Sequence, residues 1–341
     1  GFPPWWQKYT NWQNFDVLPP MAQDYYSKDV QLEWATTALY GYFNIVKDAD
    51  AYGTTGLCNA SVLSEVPLID YQQPGKYNKD NINPEYASVT SKNDIPVTNY
   101  MLMYVGDYDC GAWGNKFIPT FFNDPNLDKY PLCWPVVSNL LKRIPNVYNY
   151  MYENAPDNIY FVGGDNGYGY QNAEFMQWRE DLCDESLSVN GIPALTSEQV
   201  ASLKGSVDSF VDQTLEWYAL TKIDIQLFYI AQTAMTGEFA KKITRMSPEG
   251  FAFINSTNAN YERIINGVPV IAQGSLDYKN GTFTFEGKST TNITEPTFSV
   301  MRTVLKTPTE LTNMFRAGES QNVTVLDPYT FFYLYSIYYG S

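Results

Sequence analysis

Along the chain, short apolar runs alternate with longer stretches in which apolar positions recur every three or four residues. The runs "VTNYMLMYVG" (97–106) and "DNIYFVGG" (157–164) are continuous enough for strands buried on both faces, and each ends in glycine. "KIDIQLFYIAQ" (222–232), "EGFAFINST" (249–257), "VPVIAQ" (268–273) and "NVTVLDP" (322–328) read as further strands. Between them, helical spacing predicts helices over 30–49 and 196–221, the second opening on a capping box of Thr196 and Gln199. "DPYTFFYLYSIYY" (327–339) predicts a closing helix. This alternation predicts an α/β fold with a mostly parallel sheet, open or closed as a barrel. One stretch departs from it. "SLDYKNGTFTFEGKST" (275–290) alternates around Asn280-Gly281 and predicts a surface β-hairpin inserted late in the chain. No linker, tandem repeat or charge block divides the sequence, so a single domain over 1–341 is expected.

Charge and composition narrow the chemistry. With 22 basic against 37 acidic residues the net charge is −15, which disfavours a nucleic-acid partner. No apolar run is long enough for a membrane-spanning helix. Histidine is absent, which excludes a Ser-His-Asp triad, a Cys-His dyad and a His-ligated zinc site. Carboxylates, tyrosines, lysines or thiols must carry any reaction. The 28 tyrosines and 8 tryptophans offer amphipathic faces, suited to stacking on sugars or to packing. Cys58, Cys110, Cys133 and Cys183 have no CxxC spacing, and their even number suits two disulfides of open pairing in an oxidising compartment. Glycosylation triplets at Asn59, Asn255, Asn280, Asn292 and Asn322 point the same way, so an extracellular, secreted glycoprotein is expected. The chain opens at Gly1 without a signal-like segment, so a removed leader or a longer precursor is expected.

In parallel α/β folds, ligands gather at the carboxyl ends of the strands. Two strand ends here carry acids. In "MYVGDYDCGAW", Asp107 and Asp109 lie two apart and share a face on an extended backbone, with Trp113 just beyond. In "YFVGGDNGYGYQN", Asp165 holds the same relative place. Acids converging from two strand ends beside aromatics are what glycosidic cleavage requires, one as acid and the other as base or nucleophile. The same aspartates could instead cap helices or bind backbone amides. On the catalytic reading, Asn166 bonds sugar hydroxyls while Trp113, Tyr168 and Tyr170 line subsites. Glycines 163, 164, 167 and 169 then let backbone and rings approach the ligand. Glu174 reads as a helix-start residue or a further acid at the rim. No cofactor is expected. A calcium ion held by Asp107 and Asp109 is conceivable, although no EF-hand spacing supports it.

"GDNGYGYQNA" also resembles the signature of the "GxGYxYP putative glycoside hydrolases". Gly167, Gly169 and Tyr170 match it, while Asn172 and Ala173 stand in place of its later Tyr and Pro. "GFPPWWQKYT", "DADAYGTTGLCNAS", "YVGDYDCGAW", "FFNDPNLDKYPLCW", "MRTVLKTPTELTNMF" and "VLDPYTFFYLYSIYY" are similar to blocks of that family, in the family's order. The resemblance implies a sugar-processing, TIM-like α/β barrel, incomplete at its start because the family has further sequence before the block matching Gly1. It matches Asp107 and Asp109 to an aspartate-rich strand end and Asp165 to the acid before the glycine loop. It also makes Asn59, within a family-typical "NAS", a structural residue as readily as a glycan acceptor. The expected function is a glycan-active hydrolase with carbohydrate as its partner. The alternative is a non-catalytic structural or carbohydrate-binding glycoprotein that self-associates within a larger assembly.

Overall fold

The computed structural model of the protein describes residues 40–46, 60–106, 111–183, 194–231, 235–255 and 261–340. In chain order these form β1 (Asn99–Gly106), α1 (Gly111–Phe122), β2 (Leu132–Val136), α2 (Ser138–Arg143), α3 (Pro145–Asn154) and β3 (Ile159–Gly163). Next come α4 (Ser197–Ala201), α5 (Val207–Thr221), β4 (Ile225–Gln226), β5 (Ile230–Ala231), α6 (Gly237–Ile243), β6 (Gly250–Asn255), β7 (Ile264–Ile265) and β8 (Val268–Ala272). The hairpin region supplies β9 (Leu276–Lys279), β10 (Thr282–Phe285) and β11 (Lys288–Ser289). The chain then makes β12 (Thr297–Val304), α7 (Pro308–Glu319), β13 (Val323–Val325) and α8 (Pro328–Gly340).

The main sheet has ten strands and runs β12-β1-β2-β3-β4-β6-β8-β7, with β13 beside β1 and β5 beside β6. All of its pairs are parallel except β7 with β8. β1 is buried along its whole length, as a parallel strand covered on both faces must be. Met101, Met103 and Val105 face outward with Leu132, Trp134, Ile159 and Phe161, against the layer of α1, α2, α3 and α7. Tyr100, Leu102 and Tyr104 face inward with Tyr160, Val162, Ala252, Ile271 and Val300. Phe331, Phe332, Leu334 and Tyr335 of α8 join that inner cluster. α8 is apolar nearly all round because it is covered nearly all round. It crosses the amino ends of the strands: Phe332 packs at Gly250, the first residue of β6, and Tyr329 donates to Asp224, just before β4 (2.7 Å).

The α/β expectation therefore holds, and the sheet curls into a half-barrel. The complete TIM-like barrel is not formed by the described residues. Where β8 and β12 approach, one backbone hydrogen bond joins them, from Gly274 N–H to the Val300 carbonyl (3.2 Å), and the connection is the β9–β11 hairpin unit rather than a helix. Asn280 and Gly281 take φ of 51° and 83° at the expected hairpin turn.

Three expectations need correction. The run 222–232 is two short strands, because the loop after β3 interrupts it: Asn166 N–H bonds the Phe228 carbonyl (3.1 Å) and Asn166 Oδ1 accepts from Ile230 N–H (2.8 Å). The helix over 196–221 is α4 and α5, parted at Gly205 (φ 87°), and Ser206 opens a second capping box with Ser209. The two-disulfide arrangement is absent, since Cys133 and Cys183 are free thiols. Cys133 sits mid-strand in β2 facing the inner core, where burial raises its thiol pKa well above the ordinary value. Cys58 and Cys110 lie outside the described residues. So does the expected helix over 30–49 apart from residues 40–46, of which 40–43 are helical. Among the described residues, no helix is long and apolar enough to cross a membrane.

Candidate active site

β1, β2, β3 and β4 are parallel neighbours, so their carboxyl ends share one rim, and the loop after β3 lies along it. β3 ends at Gly163, and the chain turns through Asp165, Asn166 and Gly167 at φ of 44°, 60° and 97°. Three successive left-handed residues make a tight reversal that Asp, Asn and Gly tolerate better than other types. The reversal points Asp165 back into the protein, where it and Asn166 are fully buried.

Beneath this turn lies a buried polar chain. Tyr218 of α5 donates to Gln226 Oε1, and Gln226 Nε2 donates to the Phe228 carbonyl (2.5 Å). Burial raises the Tyr218 hydroxyl pKa, and the negative charge of Asp165 raises it further. The glycines of the motif make this approach possible. A methyl on Gly163 would fall 2.0 Å from both the Tyr218 hydroxyl and Gln226 Oε1. One on Gly164 would fall 2.7 Å from Pro135 Cβ. Their smallness thus admits the protein's own side chains.

On the inner side of the rim the Tyr104 and Phe228 rings stack at 5.8 Å and 12°, and the Arg302 guanidinium lies 4.9 Å over Phe228. Arg302 belongs to β12 and packs beside Gly106, the last residue of β1. Glu174, in the 3₁₀ helix Ala173–Gln177, is a second fully buried acid, and its charge adds to burial in raising the Tyr229 hydroxyl pKa. The sequence reads Glu174 as a helix-start residue or a further acid at the rim, and it lies fully buried in the first turn of this 3₁₀ helix. Arg302 is not singled out by the sequence, since it lies in a strand with no signature of its own.

The other sequence-derived candidates are distributed as follows. Asp107 and Asp109 lie outside the described residues, and with them the calcium site they would form. Trp113 is in the first turn of α1. Asn166 is engaged with backbone, its Nδ2 donating to the Gln171 carbonyl at 2.7 Å. Tyr170 belongs to the inner core, and Tyr168 is half-buried against the cluster containing Val207 and Phe210. Asn280 and Asn292 are exposed. Asn322 is half-buried, and its carbonyl accepts from Asn99 N–H (3.0 Å). Asn255 ends β6, and Asn59 is outside the described residues. Among the described residues, no group of three or more Asp, Glu or Cys could hold a metal ion.

β1 and β3 flank β2, so their last residues, Gly106 and Gly163, lie about 10 Å apart at the backbone, two strand spacings. That separation suits two carboxyl groups leaning toward a common substrate.

The family profile described as "GxGYxYP putative glycoside hydrolase C-terminal domain" matches residues 98–336. A solved structure, that of a "putative hydrolase from Bacteroides thetaiotaomicron VPI-5482", is similar in fold, with a TM-score of 0.56 at 14% sequence identity. The match covers 90% of this chain and 55% of that one, so the chain spans about half the length of that protein. No curated protein sequence matches the chain.

Proposed function

Because the chain belongs to the "GxGYxYP putative glycoside hydrolase" family by its C-terminal domain, we propose that it hydrolyses glycans at the carboxyl rim of its sheet. The observation that carries this reading is the place of the Asp165 turn, which follows β3 at the carboxyl rim, one strand removed from the end of β1. Asp107 or Asp109, which follow β1 in sequence, would supply the partnering carboxylate. One group protonates the leaving oxygen, and the other acts as base or nucleophile. Arg302, over Phe228 and beside Gly106, would orient the sugar. The reading includes an extracellular setting, which the exposed Asn280 and Asn292 acceptors support.

Reducing-sugar release from a panel of plant, fungal and animal glycans tests this. Asp165→Asn, and at least one of Asp107→Asn and Asp109→Asn, should lower release by about two orders of magnitude or more. The thermal midpoint should remain close to that of the unchanged protein. Undiminished release in all three variants removes the assignment.

A second reading has its own support. Asn166 is engaged with backbone and Tyr170 is buried in the core, so the glycine motif offers less to a ligand than its composition suggests. A non-catalytic glycan-binding or structural subunit would fit these contacts. Self-association by light scattering, without sugar release from any glycan, would favour it.

A further inference from the structure

A cavity lies away from the rim residues, at the seam where β8 and β12 approach without a helix between them. Its volume is about 540 Å³, within the size range of small-molecule sites. Residues 271–275 and 295–298 form its floor, Phe285 and Glu286 of the hairpin region one side, and Tyr261, Arg263, Tyr338 and Tyr339 the other. None of the rim residues Tyr104, Asp165, Phe228 or Arg302 lines it.

The cation at its wall is held by aromatic groups. The Arg263 guanidinium sits 4.6 Å from the Tyr261 ring centre and 4.8 Å from that of Tyr339, and its Nη1 donates to the hydroxyls of Tyr261 and Tyr335. Flanked by rings, it is fixed in orientation, while Nε and Nη2 keep their donor capacity. The acceptors sit on Glu286 and Glu295. Glu295 is oriented by Tyr338, whose hydroxyl donates to its Oε2 (2.5 Å). A donor flanked by rings on one side, with acceptors on the floor and the opposite side, matches an uncharged pyranose, whose hydroxyls both give and accept while its C–H face stacks. An anionic ligand would meet two carboxylates against one guanidinium, on a chain of net charge −15. A cationic one would meet Arg263.

We propose that this seam cavity is a binding site for an uncharged sugar unit of a glycan, separate from the rim. It shares with the proposed function only the class of ligand, and it requires no turnover.

Saturation-transfer NMR on the intact chain tests it, with triacetylchitotriose, cellotriose and maltotriose as probes. At least one trisaccharide should receive saturation. Arg263→Gln and Glu286→Ala should each weaken its binding about tenfold or more. Glu286 is exposed on the hairpin unit, so its replacement leaves the core intact even where the Arg263 variant unfolds. Absence of transfer to all three probes overturns the proposal, as does binding that survives Glu286→Ala unchanged. Glycan release by the same preparations is measured alongside. Release without seam binding defeats only this inference, and seam binding without release defeats only the proposed hydrolysis.

Discussion

Replacing Gly163 by alanine probes how the glycine motif is used. The added methyl would lie 2.0 Å from the Tyr218 hydroxyl and 2.0 Å from Gln226 Oε1, both in a fully buried pair. The backbone there is extended strand, so the cost is steric rather than conformational. Overpacking of this kind costs about 1–3 kcal/mol. Forcing Tyr218 away from Gln226 leaves a buried acceptor without its donor, for a further ~1–3 kcal/mol. A destabilisation of about 4 kcal/mol follows. In a chain this long it lowers the thermal midpoint by roughly 8 °C, near the shallow end of the size scaling. The assay is denaturant and thermal unfolding of Gly163→Ala, Tyr218→Phe and the double variant. Removing the hydroxyl relieves half of the clash, so the double variant should be more stable than the summed losses by at least ~1 kcal/mol. A Gly163→Ala protein within about 1 kcal/mol of the unchanged chain would refute the reasoning, and so would a cycle additive within ~0.5 kcal/mol.

Other outcomes follow from the amino end of the sheet and from the caps. Burial raises the pKa of Asp224 above its ordinary 3.8, and burial together with the charge of Asp224 raises Glu249 above its ordinary 4.5. The stabilising contribution of such acids is complete below their unfolded values and is lost as pH rises through the raised ones. Asp224→Asn with Glu249→Gln should therefore gain stability relative to the unchanged protein as the solution moves from acid toward neutral. Unfolding free energies that run parallel across that window would contradict this. Ser206 caps α5 by accepting from Ser209 N–H (3.1 Å), so Ser206→Ala should cost about 1 kcal/mol in urea unfolding. A midpoint unchanged by the substitution would show that tertiary packing alone holds α5.

Much of the fold was legible because local rules agreed with the global arrangement. The apolar runs ending at Gly106 and Gly163 are strands because a parallel sheet needs continuous burial. Thr196 and Gln199 form their capping box, and Asn280-Gly281 makes its turn. What was not legible depends on distant partners. β2 carries Pro135, which argues against a central strand. Leu132 N–H and the Val136 carbonyl bond toward β3, which turns the intervening Pro135 nitrogen toward β1. There the register with β2 is a single pair, Tyr104 with Cys133, so no donor is missed. The break in 222–232 comes from Asn166, some sixty residues away, substituting for ladder partners. At the site, the glycine loop and its aspartate could be found by eye. The stack of Tyr104, Phe228 and Arg302 could not, since three separate strand ends contribute to it.

The placement of α8 has a consequence for how the chain reaches this structure. β1 pairs with β12 across a separation of 297 − 99 = 198 residues, and the inner face of both stays uncovered until α8, later still in sequence, packs against it. On a ribosome the strands emerge well before the helix that shelters them. For that interval Tyr100, Leu102, Phe298 and Val300 present apolar surface to whatever is nearby. Assembly of the sheet is thus bound to late synthesis, and the apolar face of α8 acts as a timer as well as a plug. A chain arrested before Pro328 would have its strands and their outer helices but not the helix that covers the inner face.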